Sequence, residues 1–264
     1  MCNNNIEGSN IQSTDAAGDV MQDIGNGNYT PTKMSGSKDP NGKTEIDRAR
    51  EIIAFFNGKL PLEFAIAVAG VWSAESGIKN WNYNREEQSN GYAYKNKYAP
   101  NADKFNYKGQ TFYKDRATMT RFGYGKGLAQ WSWSRNLKFR DWYRAGADGN
   151  TTPGVTMDDN ASAITATSVT TQTAFAWKEM QERTGEFMET VNRIKNNPAQ
   201  QGTPEFENNI VLAVDAVLRG FENGGVKKMA TKEFMDKYKW DGGYKGAMKK
   251  RVERALGIYK EIYS

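Results

Sequence analysis

The chain contains no histidine and a single cysteine, Cys2. Serine–histidine and cysteine–histidine nucleophile systems are therefore excluded, because both need an imidazole base. Histidine-ligated zinc sites go with them, amidase and metallopeptidase types included, and no cofactor is expected. One cysteine cannot form an internal disulfide. No apolar run approaches the roughly 18 residues of a membrane helix, so no transmembrane segment is expected. Any hydrolytic chemistry must rest on carboxylates, amides, tyrosines and lysines.

What is present suits a sizeable core and a groove beside it. Hydrophobic residues make up 38% of the 264, enough for one large domain or two small ones. The seven tryptophans and thirteen tyrosines exceed what a core alone needs. Basic side chains outnumber acidic ones, 36 to 31, for a net charge of +5. That excess fits an anionic partner such as cell wall, membrane surface or nucleic acid, and equally fits ordinary solvated charge. A nucleic-acid partner would rest on charge and aromatics alone, and none is expected.

Residues 1–43 are rich in Asn, Gly, Ser, Thr and Asp, without hydrophobic periodicity. They read as a flexible N-terminal arm, a place where other virion or secretion-machine proteins could attach. Met1-Cys2 followed by asparagines gives no expectation of a signal peptide. Cys2 would accept a lipid only in a trimmed lipoprotein, the less favoured reading.

The folded part, 44–264, is expected to be mainly α. Ile46, Ala49, Ile52, Ile53 and Phe56 repeat at helical spacing behind a Thr44/Asp47 capping box. Pro61 opens a second helix, apolar nearly all round from Leu62 to Trp72. Residues 82–124 change character, with many Asn, Tyr and Lys and several breakers; Thr111-Phe112-Tyr113 hints at a small hairpin or irregular lobe. Residues 133–145 read as a helix. Trp177 through Ile194 mark one face of a long helix ending at Asn197-Pro198. Phe206 through Phe221 mark another, stopped by Asn223-Gly224-Gly225, and Val252 through Ile262 the last.

Two segments carry the chemistry. Trp72-Ser73-Ala74-Glu75-Ser76-Gly77 puts a carboxylate at the end of the apolar helix, before a glycine break. Glycoside cleavage needs a proton donor, and a glutamate serves when low-dielectric surroundings disfavour its charged form. The apolar helix, Trp72 and the helix C-terminus all give Glu75 that setting. Ser76 can orient the carboxyl. In Gly125-Lys126-Gly127-Leu128-Ala129-Gln130-Trp131-Ser132, small residues let backbone approach a ligand, Gln130 can bind an acetamido group or a water, and Trp131 can stack on a sugar ring. Tyr124 precedes this segment and can point into the same groove. The glycines are no phosphate loop, lacking the lysine–hydroxyl ending.

Ala69 to Gly77, followed by Gly125 to Ser132 and Arg135, resembles the phage tail lysozyme family. It is similar also to the wider group of goose-type lysozymes and lytic transglycosylases. Phe221-Glu222-Asn223 and the Arg251, Ala255, Tyr259 stripe resemble the way tail-lysozyme domains end. The resemblance implies a lysozyme-like fold, with residues 82–124 as a lobe inserted after the catalytic helix. It implies bacterial peptidoglycan as partner and substrate, a virion-associated or extracytoplasmic place of action, Glu75 as general acid, and Gln130 with its neighbours along the sugar groove. A second carboxylate would stand roughly 5–5.5 Å from the acid in a retaining enzyme and about 6.5–9.5 Å in an inverting one. Glu86, Glu87, Asp103 and Asp115 are candidates, and the aromatic surroundings of Asp103 and Asp115 favour these two as further catalytic residues. A lytic transglycosylase would need none. Lys249-Lys250-Arg251 reads as a solvated basic helix face.

Overall fold

The computed structural model describes residues 29–38, 42–76, 104–113, 127–131, 133–144, 169–183, 185–222 and 243–263. These are mostly helical, and their buried apolar side chains form one core from Met34 to Tyr259.

Helix α1 (Glu45–Phe56) starts where the sequence says it should. Thr44 Oγ1 accepts the Asp47 N–H at 3.2 Å, and Asp47 Oδ2 accepts the Thr44 N–H at 2.9 Å, so two orphan donors are satisfied reciprocally. Its stripe of Ala49, Ile52, Ile53 and Phe56 faces the core. Helix α2 (Leu62–Ser76) is the centre of the molecule: every residue from Glu63 to Ser73 is buried. An apolar helix of this kind has no solvent face to offer, and others surround it.

The hairpin expected in the 82–124 lobe is present as β1 (Lys104–Tyr107) and β2 (Gln110–Tyr113), antiparallel, with Lys104 opposite Tyr113 and Tyr107 opposite Gln110. It is moored to α3 (Trp133–Arg144), where Tyr107 donates its hydroxyl to Asp141 Oδ2 at 2.6 Å. The rest of that lobe lies outside the described residues.

The long helix expected over Trp177–Ile194 is two. Helix α4 (Val169–Gln181) and helix α5 (Glu186–Asn196) are separated at Gly185, whose φ of 73° interrupts the helix. The apolar spacing continues across the break, which is why the periodicity did not reveal it. Helix α6 (Pro204–Ala216) has Thr203 as its cap, accepting the Phe206 N–H at 3.3 Å, and Pro204 in its first turn. It does not stop there. The chain widens into a π-helical stretch over Val217–Glu222, a geometry found often at functional sites.

Helix α7 (Gly243–Tyr263) packs along α2. A Cβ on Gly70 would lie 2.5 Å from Ala255 Cβ and 2.6 Å from its Cα, so only glycine permits this approach. Around this centre stand α1 and α6.

Part of the N-terminal arm is not loose. The backbone N–H groups of Thr32 and Thr30 bond to the Glu253 carbonyl (2.9 Å) and carboxylate (3.2 Å) on α7. Met34 is buried, and its N–H reaches Glu261 Oε1 at 2.6 Å. Residues 30–34 thus form a strip along α7, correcting the reading of 1–43 as wholly flexible. The partners are more than two hundred residues away in sequence, and no local pattern announces them.

Candidate active site

Glu75 is the penultimate residue of α2, and its side chain is 23% exposed. Its partner is Arg251 of α7. The Arg251 Nε donates to Glu75 Oε1 at 3.0 Å, and Nη2 bonds the same oxygen. Arg251 Nη1 donates to the Ala247 carbonyl at 2.8 Å, which fixes the guanidinium on its own helix. This corrects the reading of Lys249-Lys250-Arg251 as a solvated face. The two lysines are exposed, whereas Arg251 is buried and turned toward α2.

One helical turn before Glu75, Trp72 is fully buried and donates its indole N–H to Glu222 Oε1 at 2.9 Å. Glu222 closes the π-helical stretch. Arg135 of α3 reaches the Glu222 carbonyl at 3.3 Å and its carboxyl at 3.7 Å. The same guanidinium grips Glu179 of α4 at two points, 3.1 and 3.0 Å, and lies over the Phe221 ring at 4.8 Å. Burial pushes the Glu222 carboxyl up to about 7. Arg135 and the Trp72 N–H act against that, and the neighbouring Glu75 and Glu179 with it.

The glycine segment is held against this cluster. Leu128 donates its N–H to Gln172 Oε1 at 2.8 Å, and Gln172 is fully buried. Gln130 adopts a φ of 48°, and its Nε2 donates to the Gly127 carbonyl at 2.8 Å. Gln130 Oε1 has no hydrogen-bond partner among the described residues. Gly127 is itself buried and supports Gln130 from below.

Trp131 is not a sugar platform. It is fully buried, stacked on Phe139 at 5.0 Å with the planes 6° apart, with Phe175 and Trp72 at its other sides. Its indole N–H goes to Glu179 Oε2 at 2.7 Å. Ser76 is buried, and its hydroxyl donates to the Trp72 carbonyl at 2.9 Å, back along the helix. The carboxyl of Glu75 takes its orientation from Arg251. Asp103, Asp115, Glu86, Glu87 and Tyr124 lie outside the described residues.

The structure therefore brings Glu75, Gln130, Trp131 and Arg135 into one region and adds Arg251, Glu222 and Glu179. Arg135, Glu222 and Arg251 all stand among the residues that carry the family resemblance, but the sequence assigns none of them a place in the site. The available signal was an arginine and a glutamate breaking otherwise apolar stripes. Among the described residues no group of three or more His, Cys, Asp or Glu is placed to hold a metal ion.

The described residues form a mainly α fold, consistent with a lysozyme-like one, with Glu75 at the end of its buried central helix. Residues 47–262 match the phage tail lysozyme family, and the chain belongs to that family. Its function is lysozyme-like and cell-wall lytic. Comparison with curated proteins and with solved structures gave no match.

Proposed function

We propose that the protein is a muramidase that cleaves the β-1,4 bond between N-acetylmuramic acid and N-acetylglucosamine in peptidoglycan, with Glu75 as general acid. The observation that carries this is the placement of Glu75: a partly open carboxyl at the end of the central helix, within the stretch matched to the phage tail lysozyme family. Glu75 gives its proton to the glycosidic oxygen as the bond to the anomeric carbon breaks, and that bond's electrons leave with the oxygen. Negative charge then develops on Glu75, and Arg251 is already in place to receive it. An oxocarbenium-like centre remains, which water attacks.

For the second catalytic role, Asp103 and Asp115 remain our candidates, in the lobe that follows the catalytic helix. Gln130, its amide anchored on the Gly127 carbonyl, remains our candidate for holding the acetamido group or the attacking water. Tyr124 stays a candidate for the same sugar-binding role. The N-terminal arm, 1–43, remains our candidate attachment point for other virion or secretion-machine proteins.

Mass spectrometry of the soluble fragments released from purified peptidoglycan tests the reaction. Fragments ending in reducing N-acetylmuramic acid support hydrolysis. Anhydro ends would replace this reading with a lytic transglycosylase using the same acid, and no fragments at all would leave a wall-binding module.

A further inference from the structure

We infer that Arg135 is a positioning residue for the proposed reaction: a single guanidinium that ties the end of α2, where Glu75 stands, to the glycine segment, where Gln130 stands. The inference rests on the reading of Glu75 as the acid and adds to it what holds that acid in register with the second segment.

Each of the two segments carries a fully buried tryptophan whose N–H is taken up by a carboxyl. Trp72 lies three residues before Glu75, on the same face of α2, and donates to Glu222 Oε1 at 2.9 Å. Trp131 follows Gln130 directly and donates to Glu179 Oε2 at 2.7 Å. Both carboxyls then meet one guanidinium. Arg135 bonds Glu179 through Nε at 3.1 Å and Nη2 at 3.0 Å. Its Nη1 donates to the Glu222 backbone carbonyl at 3.3 Å and stands 3.7 Å from Oε2. Arg135 reaches in from α3, Glu179 from α4 and Glu222 from the end of the π-helical stretch. A continuous chain of contacts thus runs from Gln130 through Trp131, Glu179, Arg135 and Glu222 to Trp72, one turn short of Glu75.

The role follows from what apolar packing cannot supply. The rings of Trp72 and Trp131 stand 6.5 Å apart, and Trp131 stacks on Phe139, but burial of this kind is non-directional. Forked contacts between a guanidinium and a carboxylate are directional. The side chains of Arg135, Glu179 and Glu222 are 14%, 5% and 8% exposed, and charges taken that far out of water return little net stability after desolvation. What they fix is register. Proton transfer tolerates little error in it, since a misplacement of about 1 Å costs roughly a hundredfold in rate. A lysine would keep the charge of Arg135 but not the planar fork that serves both carboxyls at once.

The test uses the full chain and a soluble peptidoglycan fragment, with folding of every variant checked by circular dichroism. Arg135→Lys is expected to lose about ten- to a hundredfold in kcat with KM held within about threefold, the pattern of a group that matters only as the bond breaks. Trp131→Phe keeps a ring on Phe139 and removes only the N–H that leads to Glu179. It should lower kcat alone, yet add nothing in the Arg135→Lys background, because the chain is already broken there. A folded Arg135→Lys with wild-type kcat overturns the inference. So do losses that multiply in the double variant, which would mark two separate packing effects. If Arg135→Lys does not fold, Trp131→Phe decides: wild-type kcat there overturns the inference, and a lowered kcat with KM held supports it. Glu75→Gln run in parallel keeps the two readings apart. Full activity in that variant sinks the general acid; its loss beside an unimpaired Arg135→Lys sinks only the positioning role.

Discussion

Arg251 is 3% exposed, and the carboxyl it holds is 23% exposed, so the Glu75–Arg251 pair is buried on one side and reached by solvent on the other. Breaking a fully buried pair costs about 3–5 kcal/mol. Solvent reaching Glu75 reduces that, so Arg251→Gln should lower the unfolding free energy by about 2 kcal/mol, read from the denaturant midpoint. The same substitution should cut kcat by roughly one to two orders of magnitude, because the charge formed on Glu75 loses its partner. Glu222 makes a separate statement about stability. Its carboxyl titrates higher in the folded chain than its ordinary value of 4.5, so folding favours the protonated form. That contribution is fully present below 4.5 and is lost as pH rises through about 7. Between pH 4 and 8, wild type should lose on the order of 3 kcal/mol relative to Glu222→Gln, measured as the difference between their denaturation curves.

At the scale of elements, local signals were legible and distant ones were not. The Thr44/Asp47 box, Pro61 just before α2 and the stripe on α7 each act within a few residues, and those helices formed as their spacing predicts. The hairpin at 104–113 was legible as a possibility. The break at Gly185 was hidden because the apolar spacing runs on through it. The strip at 30–34 was hidden because its partners lie on the last helix. Buried Glu45 ties these parts together: it accepts from Ser35 N–H at 3.0 Å, from Arg254 Nη1 at 3.1 Å and from the Ser73 hydroxyl, two residues before Glu75. Gly257 is the point where the strip comes closest. A Cβ there would stand 1.9 Å from the Thr32 carbonyl oxygen. Gly257→Ala should therefore lift the strip, cost about 2 kcal/mol of stability, and expose residues 29–38 to limited proteolysis. Cleavage there unchanged from wild type would contradict the docking described.

At the scale of the whole molecule, the lack of histidine narrowed the chemistry to carboxylates, and family membership set it on the cell wall. The glutamate at the end of α2 and the glutamine of the glycine segment were legible because both stand beside breaks in otherwise apolar or small-residue runs. Arg251 was not, because a cation beside two lysines on a late helix looks like surface until the fold turns it inward. Trp131 misled for the opposite reason: an aromatic beside a glycine turn can face a sugar or a core, and here Phe139 covers it. The claim on which the rest depends is that Glu75 delivers the proton. The most direct measurement compares wild type and Glu75→Gln for the rate of reducing-end release from purified peptidoglycan, with circular dichroism confirming that both are folded. A loss of at least a hundredfold in the variant is predicted; a folded variant cleaving at the wild-type rate would contradict it.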